Sequence, residues 1–279
     1  MTQTIRPRRS MLYVPGDKPR ALEKAKTLAC DAIIFDLEDA VAPENKARAR
    51  DAIADAVHGG GYGAHELILR IGAADSPDDL ALAGALPLNG VLLPKVESPA
   101  TIAEVATRCP LPIWCMIETP LGVLRAAEIA AASNRLAGFV AGTNDLTKHL
   151  RARHTPARTP LLSALSLMVL AARACELAVI DGVHLDLDDP AGFEAVCRQG
   201  VELGFDGKSL VHPTTIDTAN RIFGPVPDEI TRARRMVAAW AQTRAQGLGV
   251  MRFDGMMVEQ LHVEEANRLI ALADAIARA

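Results

Sequence analysis

The sequence predicts a (β/α)8 TIM barrel followed by a carboxyl-terminal helical extension. Three observations lead there. Eight short apolar runs alternate with longer Ala-rich stretches, the runs show little period-two alternation, and nearly every run ends on a polar or charged side chain. Runs of this kind are strands covered on both faces, as in a parallel sheet. Eight βα units within about 220 residues suit closure by right-handed crossovers. A doubly wound open sheet is the alternative that the pattern leaves standing.

The runs, in order, are SMLYVPG (10–16), AIIFDLE (32–38), ELILRI (66–71), GVLLPK (90–95), PIWCMIE (112–118), LAGFVAG (136–142), AVIDGVH (178–184) and FDGKSLVH (205–212). Between them, KPRALEKAKTLA (18–29), ENKARARDAIADAV (44–57), SPATIAEVAT (98–107) and LLSALSLMVLAARACE (161–176) have the apolar spacing of helices lying on a sheet. After Ile216 the alternation stops. A helix (228–246), a Gly-rich loop (GLGVMRFDG, 247–255) and a last helix (259–277) are expected there, as an appendage and not a ninth unit. The reading divides the chain into a barrel over residues 1–224 and an extension over 225–279, with no internal repeat.

Composition excludes several classes. The 279 residues are 49% apolar and 23% charged, which fits an ordinary globular chain. Thirty Lys and Arg against 34 Asp and Glu give a net charge of −4, so nucleic acid and anionic membranes are not expected partners. Cys30, Cys109, Cys115, Cys175 and Cys197 lie far apart with no C-x-x-C pair. They read as free thiols of a reducing cytoplasm. The start MTQTIRPRRS has no apolar core behind its arginines, so no signal peptide is expected, and no run is long enough to span a bilayer.

Chemistry in a barrel sits at the carboxyl ends of the strands. The second run ends in Asp36, Leu37, Glu38 and Asp39, the third in Arg70, the fourth in Lys95 and Glu97. The fifth ends in Glu118, the sixth leads to Asn144 and Asp145, the seventh ends in Asp181 and His184, and the eighth holds Lys208 and His212. Helix caps alone do not account for such a rim, because caps call for Ser, Thr, Asp or Asn. Carboxylates dominate it and no His/Cys cluster has zinc spacing, which points to a hard cation such as Mg²⁺. Glu118 and Asp145, on neighbouring strands, are the natural pair, with a helix N-cap as the bland role for Asp145. Asp181, Asp186 and Lys208 read as internal braces, and His184 and His212 as structural histidines. Gly59-Gly60-Gly61-Tyr62-Gly63 follows a helix and so reads as a turn, not a dinucleotide loop.

At these residues the chain resembles the citrate lyase β-subunit-like family of the HpcH/HpaI aldolase superfamily, which includes malyl-CoA and citramalyl-CoA lyases. The matching stretches are Arg9–Gly16, Asp36–Val41, Leu69–Ile71, Gly90–Glu97, Ile117–Gly122, Gly142–Leu146 and Gly207–Pro213, in order along nearly the whole barrel. The resemblance implies Mg²⁺ held by Glu118 and Asp145, with Glu38 and Asp39 holding its waters. It implies Arg70 against the keto-acid part of the substrate, and a coenzyme A thioester or acyl-carrier arm entering across the top. Homotrimers or homohexamers are usual in the family. In its coenzyme A lyases the tail lids a neighbour's site and supplies a carboxylate from a motif ending Met-Ile-Asp. Here the matching stretch is Gly255-Met256-Met257-Val258-Glu259, so the acid would be Glu259, one methylene longer.

The implied reaction is a retro-Claisen cleavage of a 3-hydroxy-3-carboxyacyl thioester, citramalyl-CoA or malyl-CoA, to acetyl-CoA and pyruvate or glyoxylate. Lys18, Arg20 and Lys24 follow the first strand and are candidates for the coenzyme A phosphates, or else a solvated helix face. The basic loop from Arg151 to Arg158 offers further cations. Two other readings remain: a citrate lyase β subunit acting on a citryl carrier protein, and a barrel without catalysis, kept as a binding or assembly partner.

Overall fold

In the computed structural model, which describes residues 5–278, eight parallel strands form a closed barrel. They are β1 (Ser10–Pro15), β2 (Ala32–Asp36), β3 (Glu66–Arg70), β4 (Gly90–Leu93), β5 (Ile113–Ile117), β6 (Leu136–Ala141), β7 (Ala178–Asp181) and β8 (Gly207–Leu210). The ring closes where Ser10 to Leu12 of β1 pair with Lys208 to Leu210 of β8. The expected barrel is therefore the observed one, and the open sheet is excluded.

Alternation along each strand sorts side chains into two layers. Met11, Ile34, Ile68, Leu92, Trp114 and Ile180 belong to the interior of the barrel. Their neighbours in sequence, such as Leu12, Ile33, Leu69, Leu93 and Val179, pack outward against the helices. Trp114 fits inside because Gly138 on the paired strand has no Cβ, which would overlap its ring. At the amino-terminal end the Arg8 guanidinium lies 4.9 Å from the Trp114 ring centroid and pairs with Glu66 at 2.7 Å. That end is a stopper, which leaves the carboxyl ends for function.

The helices on the outside begin at α1 (Pro19–Ala25), α2 (Lys46–Gly59), α3 (Pro77–Ala85) and α4 (Pro99–Arg108). They continue with α5 (Pro120–Leu124), α6 (Ala126–Ala130), α7 (Thr143–His149), α8 (Leu162–Ala174), α9 (Pro190–Leu203) and α10 (Ile216–Phe223). Many start on Pro at the first turn, where its missing N–H costs nothing. Ser76, Ser98, Thr119 and Asp189 cap the helices after them through side-chain oxygens. The helix expected over 18–29 is shorter, because after Ala25 the chain turns through Lys26 and Thr27.

The chain divides into two compact units, one the barrel Arg8–Phe223 and the other made of the described residues from Gly224 onward with those before Arg8. The latter's helices α11 (Pro227–Ala245) and α12 (Gln260–Arg278) bury Met236, Trp240, Val258 and Val263 between them. The segment expected as a Gly-rich loop is instead a hairpin, β9 (Met251–Phe253) against β10 (Met256–Val258). Its turn residues Asp254 and Gly255 have φ values of 46° and 81°. Two positive-φ residues are what a tight hairpin turn demands, and Asp-Gly supplies them. Arg232 and Arg235 pair with Asp254 and lie against the Phe253 ring, fastening the hairpin to α11.

Candidate active site

Six of the predicted rim residues belong to the barrel mouth. Asp36 and Arg70 stand side by side in the β2–β3 register, on the inward parity of Ile34 and Ile68. The guanidinium grips Asp36 with two bonds, Nε to Oδ1 at 2.7 Å and Nη2 to Oδ2 at 2.5 Å. Both partners are buried, so this fork is fixed and charge-assisted. The third nitrogen, Nη1, lies 2.6 Å from Oε2 of Glu38. The Tyr13 ring centroid is 4.6 Å from the guanidinium carbon and completes its setting.

Glu38 and Glu118 are linked through Lys95. The Lys95 ammonium bonds Oε1 of Glu38, and its backbone N–H donates to Oε1 of Glu118 at 2.7 Å. Glu118 ends β5 at 1% exposure. Burial, then the Glu38 charge, then Asp145 push its carboxyl up to about 7. Glu38 is raised as well, by burial that outweighs the nearby Arg70 and Lys95. Gly142 makes room for this acid, because a Cβ there would collide with the Glu118 side chain.

Asp145 sits half-buried in the first turn of α7. It is not the cap, a position held by Gly142, and its carboxylate makes no hydrogen bond or ion pair among the described residues. Asp39 is exposed beside Glu38. No group of three or more His, Cys, Asp or Glu side chains among the described residues encloses a metal position. The donor set is thus Glu118 and Asp145, two acids whose side chains form no ion pair among the described residues. That set fits a hard dication that keeps several waters, and the repulsion that raises Glu118 is what such a cation relieves.

Other predicted residues take no part in these contacts. Lys18, Arg20 and Lys24 are exposed along α1, and Lys18 pairs with Asp17 at 3.0 Å. Arg153, Arg158 and His184 line a cavity of about 320 Å³ beside Thr143 and Asn144. Glu259, between β10 and α12 of the second unit, is half-buried, and its backbone N–H donates to His262 Nδ1. Sequence reading placed Asp36 and Lys95 on the rim without a particular part for either, and did not single out Tyr13. The period-two parity of β2 was the available signal for Asp36, since it places that residue inside with Ala32 and Ile34.

Residues 9–213 match the family described as HpcH/HpaI aldolase/citrate lyase. The chain belongs to that family. It is an enzyme fold of the lyase class, and its relatives match over nearly their full length. A (3S)-malyl-CoA thioesterase of Cereibacter sphaeroides is 45% identical over 99% of this chain and 98% of its own. A citrate lyase subunit beta of Leuconostoc mesenteroides subsp. cremoris is 34% identical, covering 96% and 94%. Among solved structures, the protein CitE from Mycobacterium tuberculosis in complex with magnesium, acetoacetate and coenzyme A superposes with a TM-score of 0.78. It is 32% identical and covers 95% of this chain and 97% of that one.

Proposed function

We propose that this enzyme cleaves the carbon–carbon bond of a malyl-type 3-hydroxy-3-carboxyacyl-CoA, releasing acetyl-CoA and a 2-oxo acid. The observation that supports it best is the mouth itself. A fixed Arg70 fork belongs to the same mouth as two acids, Glu118 and Asp145, whose side chains form no ion pair among the described residues. When bound by Glu118 and Asp145, Mg²⁺ would act as Lewis acid and template for the α-hydroxy acid end of the substrate. Arg70, held by Asp36, orients the carboxylate and meets negative charge on the emerging carbonyl oxygen. Glu38 and Asp39 fix the surrounding waters and receive the hydroxyl proton as the bond between C2 and C3 breaks.

The electron pair of that bond passes into the thioester, giving an enolate, and protonation at C2 completes acetyl-CoA. We assign this proton to Glu259, whose carboxylate makes no hydrogen bond or ion pair among the described residues. Lys18, Arg20 and Lys24 would hold the coenzyme A phosphates. The 45% identity to a malyl-CoA thioesterase favours malyl-CoA over citramalyl-CoA. Free thiols, four of them buried, accord with a cytoplasmic site of action. No helix of the described residues is long and apolar enough to cross a membrane. Exposed Leu121, Leu124, Leu167 and Leu170 on α5 and α8 favour a homotrimer or homohexamer, which a monomeric sedimentation mass would exclude.

One observation favours a second reading, hydrolysis of the same thioester, because the 45% identical relative is named a thioesterase. A single assay separates the two. Malyl-CoA, citramalyl-CoA and citryl-CoA are each incubated with the enzyme and Mg²⁺, with and without EDTA. Acetyl-CoA and a 2-oxo acid from malyl-CoA, abolished by EDTA, are the expected products. Free coenzyme A with intact malate would replace cleavage by hydrolysis, and no turnover of any of the three would overturn both.

A further inference from the structure

Lys95 follows β4 with a φ of 50°, in the left-handed region. A residue other than glycine is strained there. The strain has a visible consequence at Glu118. The Lys95 peptide aims its N–H at Oε1, 2.7 Å away, while Gly142 presses from the other side with no Cβ to intrude. The carboxylate is wedged in one orientation. Oε1 already accepts the Lys95 N–H, and Oε2 accepts no hydrogen bond among the described residues.

A glutamate in that state offers a cation Oε2 ahead of Oε1, because Oε1 has given a lone pair and its orientation to the N–H. Ca²⁺ takes six to eight oxygens and gains from a bidentate carboxylate, whereas Mg²⁺ needs six at octahedral angles and accepts single oxygens plus water. We propose that the main chain at Lys95, and not its ammonium, sets the cation preference of the mouth by removing Oε1 of Glu118 from the ligand set. The inference rests on the magnesium reading above, and it makes Lys95 a positioning residue, acting through Glu118.

Three substitutions separate main chain from side chain. Lys95→Gly accepts positive φ freely, and Lys95→Met keeps the length of the side chain without its charge; both retain the N–H. Lys95→Val, β-branched, is driven out of the left-handed region and carries the N–H away from Oε1. Calorimetric titration of the full chain with MgCl2 and with CaCl2 gives the ratio of dissociation constants for each variant. The ratio is expected to stay at the wild-type value in the Gly and Met variants. In Lys95→Val it falls about tenfold toward Ca²⁺, as a second carboxylate oxygen becomes available. An unchanged ratio in Lys95→Val, or an equal fall in Lys95→Met, would overturn the proposal. If far-UV circular dichroism shows Lys95→Val misfolded, Lys95→Thr serves the same purpose with a smaller side chain. A wild-type chain that binds neither cation overturns the magnesium reading itself, an outcome distinct from binding with unaltered preference.

Discussion

Two clusters of charge lie at carboxyl ends of the strands, and they are built on opposite principles. At the mouth, Asp36, Glu38, Glu118 and Asp145 face two cations, Arg70 and Lys95. On the outer face of β7 and β8 the count reverses: Asp181 alone faces Arg158 and Lys208. Ile180 points into the barrel, so Asp181 points out, against Gly200 of α9. Every oxygen of Asp181 is used, by Arg158, Lys208 and the Gly182 N–H. Burial works against its charge, but Lys208 and Arg158 prevail and hold its carboxyl below the usual range. Glu118 is as deeply buried and goes the other way. A buried acid with all its oxygens bonded is part of the framework. A buried acid with one free oxygen and too few cations awaits a ligand.

The largest expected effect tests the framework side of this contrast. Asp181→Asn strands Lys208 and Arg158 without an anion in the protein interior, and removing one partner of such a cluster costs about 3–5 kcal/mol. Urea denaturation of Asp181→Asn should show a loss of that size, with turnover per folded molecule unchanged. Adding Lys208→Met should recover part of it. A loss under about 1 kcal/mol would mean that water reaches this cluster and that the contrast is false.

Next in size is an opposite response to pH. The Glu118 carboxyl titrates near 7 in the folded chain against an ordinary value of 4.5. The folded state therefore holds a proton that the unfolded state has released, and stability falls as pH rises through that window, by on the order of 3 kcal/mol. Asp181 contributes the reverse sign: its lowered value gives stability above the ordinary carboxylate range that is lost on acidification. With EDTA present, denaturation midpoints of wild type and Glu118→Gln should converge near pH 4.5 and separate by pH 7, the variant being the more stable. Parallel curves across the window would show that Glu118 is ionised throughout and already neutralised by Lys95 and Arg70.

The same contrast explains what could be read from the residues alone. All eight strands were legible, because burial on both faces writes a continuous apolar run into each. The rim was legible as a set of polar strand ends, and so was the bracing role of Asp181 and Lys208. Pairing at a distance was not. The Asp36–Arg70 fork joins residues 34 apart, and the Lys95–Glu118 contact uses a backbone N–H, which no side-chain pattern records. The hairpin at 251–258 was missed for a different reason. Its strands are three residues each, too short for periodicity, and only the Asp254-Gly255 pair announced the turn.

The smallest effect concerns cations that belong to neither cluster. Arg20 and Lys24 are exposed, one turn apart on α1, and form no ion pair among the described residues, whereas Lys18 is engaged with Asp17. An exposed charge meeting a phosphate gains roughly 0.5–1 kcal/mol in water, so each substitution by Ala should raise KM for the acyl-CoA about two- to fivefold. The turnover number should not move, because a phosphate contact is the same in the ground state and the transition state. Screening supplies the discriminating measurement: at an ionic strength near 1 M the Debye length shrinks to about 3 Å, and wild type and variants should then share one KM. A KM difference that survives high salt would indicate packing of the Arg20 or Lys24 stems against the ligand. No difference at low salt would return this helix face to water and leave the coenzyme to be held by other cations, such as those of the 151–158 loop.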